Sequence, residues 1–112
     1  MENRLRLIIG TLLCGCSGWA DAQPAVDLAA AEALTKKSGC MKCHSVSAKK
    51  EGPPFKETAA KYKGKADAEQ KLYTHVSTNP KIKVDGKEEL HESLKTKNDA
   101  EIKNVIQYIL SR

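Results

Sequence analysis

Apolar residues in this chain recur at intervals of three and four, the period of a helix with one buried side. Leu28, Ala31 and Leu34 form a first stripe behind Asp27, a residue type that caps helix starts, so a helix is expected from Asp27 to Lys37. Ser38-Gly39 ends it. Gly52-Pro53-Pro54 breaks the chain, and Phe55, Ala59 and Tyr62 then mark one side of a short helix stopped by Gly64. Ala68, Leu72 and Val76 define a third helix over Asp67 to Val76, closed by Asn79-Pro80. The last is the clearest: Asn98 caps it, Glu101 follows as a capping-box partner, and Ile102, Val105, Ile106 and Ile109 share a side.

The stretch from Lys81 to Lys97 is dense in charge and offers only Ile82, Val84, Leu90 and Leu94 for burial. Its structure is the least defined by pattern; Lys87 to Leu94 can be drawn as a helical turn. No segment alternates like a strand, and no repeat or low-complexity tract occurs. The pattern therefore predicts an all-α chain.

The N-terminus is organised differently. Arg4 and Arg6 precede the apolar run Leu7 to Leu13, and Ala20-Asp21-Ala22 has the A-x-A form of a cleavage site. Residues 1–22 thus read as a secretory signal, too short to anchor in a bilayer, and residues 23–112 as the mature domain. Leu13-Cys14-Gly15-Cys16 also resembles a lipoprotein box, which makes lipidation at Cys16 the alternative; otherwise these cysteines are small apolar fillers of a discarded peptide.

After such cleavage the remaining aromatics are Phe55, Tyr62, Tyr73 and Tyr108, a thin supply for one core. The leader holds two basic residues (Arg4, Arg6) and two acidic ones (Glu2, Asp21), so its removal leaves the net charge of +5 unchanged. The basic residues are scattered and aromatics scarce, which argues against a nucleic-acid partner.

Cys40-Met41-Lys42-Cys43-His44 carries the chemistry. Two thiols three residues apart can form thioethers with the vinyl groups of one haem, and the adjacent histidine can bind the iron. A zinc site would have to borrow His75 and His91, since no second cysteine pair follows the first in the mature chain. A thiol-disulfide pair usually opens a helix in a βαβ setting, which this sequence lacks. Covalent haem is the favoured reading, and with so few aromatics the haem would supply much of the core, so the haem-free chain is expected to fold poorly.

With these features together, the chain resembles a small bacterial class I cytochrome c. The resemblance rests on Gly39 before the haem motif, Gly52-Pro53-Pro54-Phe55-Lys56, Ala59-Ala60-Lys61-Tyr62, and Asp99-Ala100-Glu101-Ile102 leading to Tyr108-Ile109-Leu110. It implies four to five short helices around one haem c, attached through Cys40 and Cys43, with His44 as proximal ligand and the Pro53 carbonyl accepting from its other ring nitrogen.

One departure matters. The family's usual distal ligand is a methionine before the last helix, and none stands there: Met1 is in the leader and Met41 lies between the haem cysteines. His91 lies near the family's methionine position and is the first candidate for distal ligand, with His75 second. Lys81, Lys83, Lys87 and Lys95 are remote candidates, because an amine must first lose its proton. Tyr62 and Tyr73 are candidate propionate donors.

The resulting expectation is a periplasmic electron carrier of low potential with His/His ligation. It is not an enzyme, is monomeric, and meets redox partners with acidic docking faces. The alternative is gas binding at an open or labile distal site.

Overall fold

The computed structural model describes residues 25–112. The expected signal segment, with Cys14 and Cys16, lies outside the described residues. Four helices and one hairpin follow in order: α1 (Leu28–Lys37), a 3-10 turn at Cys40–Lys42, α2 (Phe55–Tyr62), α3 (Ala68–Ser77), β1 (Lys81–Val84), β2 (Lys87–Leu90) and α4 (Asp99–Leu110).

The helix α4 is the hub against which α1, α2 and α3 all pack. Its expected stripe is buried, with Val105 and Ile106 nearly inaccessible, and Tyr108 joins it. Burying such a side chain fully stabilises by about 1.5–3 kcal/mol, so this one stripe anchors the bundle. Phe55 at the start of α2 meets Tyr108 edge-on, ring centres 6.0 Å apart, an arrangement that adds about 0.5–1.5 kcal/mol to simple burial.

Polar bonds fix the helix ends. Asp27 accepts from the Ala30 amide, capping α1, while its own N–H and C=O are both held by the Asn104 side chain at 2.9 Å. Asn98 caps α4 through the Ala100 and Glu101 amides. The reciprocal half of the expected capping box is not made: Glu101 bonds to the Thr96 hydroxyl, and that hydroxyl accepts from the Asn98 amide instead. Leu28, expected inward, is 46% exposed, whereas Thr35 on α1 is buried with its hydroxyl donating to the Glu32 carbonyl.

The helical architecture agrees with the expected class, but Lys81 to Leu90 is an antiparallel hairpin rather than a featureless or helical stretch. Ile82 pairs with Glu89 and Val84 with Lys87. Asp85 and Gly86 both take positive φ, 49° and 78°, the two-residue turn whose twist suits a hairpin. An isolated two-stranded hairpin is marginal in water; this one rests along the edge of the cavity described next.

Candidate functional site

The Cys40–Lys42 turn follows α1 directly, and His44 returns its amide to the Cys40 carbonyl at 2.9 Å. Past the motif the chain folds back: Gly52 donates to the Cys43 carbonyl, Phe55 to Ser45 and Lys56 to Val46. This double layer brings the Pro53 carbonyl to 2.7 Å from His44 Nδ1. A carbonyl can only accept, so Nδ1 carries the proton and Nε2 keeps the free lone pair. Phe55 stacks beside the ring at 5.7 Å. Gly52 is required by this approach: a Cβ there would lie 2.5 Å from His44 Cε1 and 2.7 Å from Nδ1.

His91 arrives from the other side, immediately after β2. Its amide donates to the Pro80 carbonyl at 2.8 Å, and its carbonyl accepts from the Asn79 side chain at 2.9 Å. Its Nδ1 is buried without a hydrogen-bond partner. Burial first, then the neighbouring His44, holds the imidazole below its ordinary pKa. His75, in the last turns of α3, has its ring centre 4.0 Å from that of His91. Burial first, then His91, His44 and Lys61, pulls its pKa down to about 4. Neutral imidazole is the form that binds metals.

The ring centres of His44 and His91 are 6.1 Å apart. Two imidazoles on opposite sides of one metal ion lie roughly 6 Å apart between ring centres, from about 2 Å per metal–nitrogen bond plus about 1 Å from each nitrogen to its ring centre. Two adjoining cavities of about 480 and 410 Å³ flank the pair, and both are lined by Cys40, His44, Pro53, His75 and His91. Phe55, Leu72, Val76, Leu94, Val105 and Ile109 make the first cavity largely apolar. The second carries Cys43 and the inner side of the hairpin, including Ile82 and Val84.

Cys40 and Cys43 do not pair with each other in a disulfide. Burial chiefly raises the pKa of Cys40; burial, then the hydrogen bond to Glu51, raises that of Cys43. A flat, apolar ring with one metal ion, two thiol attachment points and two facing imidazoles fits this donor set.

Some expected contributors fall elsewhere. Met41 lines neither cavity, and of the four lysines considered as ligands only Lys83 lines one. Tyr62 lines the first cavity, but Tyr73 is engaged by Asp99, whose carboxylate raises the phenol's pKa. The rim near Cys43 is of mixed charge, with Glu51, Glu89 and Glu92 beside Lys42 and Lys83. Pattern reasoning did not find the hairpin wall, the Asn79 clamp or buried Ser38, whose hydroxyl accepts from the Lys95 amide at 2.8 Å.

Comparison with known proteins identifies the family. The Cytochrome c family model matches residues 28–112. The solved class 1 cytochrome MtoD from Sideroxydans lithotrophicus ES-1 superposes with a TM-score of 0.74 at 47% identity, covering 78% of this chain and 97% of that one. Cytochrome c-552 of Hydrogenobacter thermophilus is 39% identical over 83 residues, 71% of this chain and 79% of that protein. Cytochrome c-551 of Allochromatium vinosum is 51% identical over 43 residues, 38% of this chain, so the match spans a little under half (46%) of that relative. The chain belongs to the cytochrome c family, and its cofactor is one c-type haem held covalently through Cys40 and Cys43.

Proposed function

We propose that this protein is a monomeric periplasmic electron carrier in which His44 and His91 occupy the two axial positions of the haem iron. The observation that carries the reading is the 6.1 Å separation of those rings across a cavity that both line. When bound, the haem supplies a one-electron couple.

The chain's own residues set the terms of that couple. Pro53 fixes the tautomer of His44 and makes it a better donor. Apolar side chains from α2, α3 and α4 exclude water from the first cavity. Two imidazoles favour the oxidised state more than an imidazole with a thioether does, which places the potential on the low side for the family. With both axial positions filled there is no open position for a substrate, and the residues around the cavity supply no nucleophile with its base; the reading is therefore of a carrier and not an enzyme.

Export follows from the leader-like residues 1–22. Exposed Lys42 and Lys83 beside the attachment site, with the overall charge of +5, favour acidic partners, while Glu51, Glu89 and Glu92 limit how strongly.

Electron paramagnetic resonance of ferric, haem-loaded protein tests the ligation. A low-spin signal of two imidazoles is expected. A high-spin signal would overturn it and bring forward gas binding at an open site.

A further inference from the structure

His75 has no part in the carrier described above, yet it lines both cavities together with His44 and His91. Its ring lies 4.0 Å from that of His91 with a 47° tilt. That is too close for a hydrogen bond within the ring planes: an N–H···N bond of about 3 Å would put the ring centres roughly 5 Å apart. The contact is packing of one ring on another, which leaves the buried His91 Nδ1 without a partner. The two rings are therefore in contact without an in-plane hydrogen bond between them.

The two distal imidazoles also differ in how they are held. The main chain of His91 is fixed by Pro80 and Asn79, whereas His75 sits in the last turns of α3, two residues before Ser77 ends it. The His91 ring packs directly on that of His75, so removing it leaves room beside a side chain that already lines both cavities.

We propose that His75 is a reserve distal ligand, which takes the iron position facing His44 whenever His91 leaves it. The inference rests on the proposed His44/His91 ligation. It makes the protein a carrier with two interchangeable distal imidazoles, so that loss of one does not open the iron to exogenous ligands.

The test is electron paramagnetic resonance of ferric holoprotein from wild type, H91A, H75A and the H75A/H91A double variant, with haem content measured by absorbance and fold by circular dichroism. Wild type, H75A and H91A are expected to be low-spin with two nitrogen ligands, the H91A signal displaced from wild type. The double variant should be high-spin and return to low-spin on addition of free imidazole. His91→Leu, which fills the space without a donor, should block His75 and be high-spin.

Each other result decides something. A high-spin H91A beside a two-imidazole wild type overturns the reserve role and leaves His91 as resident ligand. A wild type without two imidazoles overturns the ligation reading itself. High-spin H75A with low-spin H91A makes His75 the resident ligand and overturns both. Failure of H91A to accumulate holoprotein while H75A does so also counts against the reserve role, because a spare ligand should sustain haem binding.

Discussion

The side-chain amide of Asn79 donates to the carbonyl of His91 at 2.9 Å, twelve positions away and across the whole hairpin. Asn79 adopts φ of 50°, a left-handed conformation that asparagine tolerates better than most residues. The bond thus closes the hairpin at its base and sets where His91 enters the cavity. Its amide neighbour acts in the same sense, because the Asn79 N–H is also tied, to the Ser93 hydroxyl at 3.2 Å.

Substitution at Asn79 should separate these two contributions. Asn79→Gly keeps the left-handed backbone accessible and loses the side-chain bond, which should cost about 1 kcal/mol. Asn79→Ala loses the bond and strains the backbone, adding roughly another 1 kcal/mol. Urea unfolding of the two haem-loaded variants measures the difference; equal midpoints would mean that the left-handed geometry is not under constraint.

The identity of the distal donor should be readable in the midpoint potential. Replacing His91 by methionine exchanges an imidazole for a thioether, which favours the ferrous state and should raise the potential. The experiment belongs in an H75Q background, so that the neighbouring imidazole cannot take the vacated position. Equilibrium redox titration should show H75Q/H91M above H75Q. An unchanged potential would remove His91 from the iron.

Gly52 offers a test on the proximal side. A methyl group there would fall 2.5 Å from His44 Cε1, and 3.0 Å from the Cys43 carbonyl, which is backbone and cannot swing away. Relief requires moving His44 off the Pro53 carbonyl. Overpacking of this kind costs about 1–3 kcal/mol, and here the strain falls on His44. G52A is expected to lower holoprotein yield and shift its low-spin signal. A wild-type yield and spectrum would mean that the Gly52 loop relaxes without disturbing His44.

These tests concern features that were unequally visible in the amino-acid sequence. The helices were legible because Leu72 and Val76, or Ile102, Val105, Ile106 and Ile109, repeat at the helical period and bury as that period requires. The haem motif was legible because Cys40, Cys43 and His44 are local in sequence, whereas the Pro53 carbonyl came only from the family resemblance.

The hairpin went unread although Ile82 and Val84 alternate with lysines and Asp85-Gly86 is a strong turn pair; its β2 strand, exposed from Lys87 to Leu90, has no apolar alternation to match. The Asn79 clamp and the Ser38–Lys95 bond join residues 12 and 57 positions apart. Such polar pairings leave no periodic trace. The distances among His44, His75 and His91 depend on how α3 and the hairpin pack, which no single segment encodes.

The apolar walls imply one more outcome. Phe55, Leu72, Val76, Leu94, Val105 and Ile109 reach the core but also face a cavity of about 480 Å³. A haem bound there would cover their inner surfaces. Without it they border a space large enough for water, and the dispersion contacts on that side are lost. A domain this small has little other apolar surface to offset the loss, and the hairpin would lack the ring as a support. A C40S/C43S variant, produced without haem, should therefore lose the sharp thermal transition followed at 222 nm in the haem-loaded wild type and bind a dye for exposed apolar surface. A cooperative transition in the haem-free chain would show that the contacts of α4 with α1, α2 and α3 suffice to hold the fold.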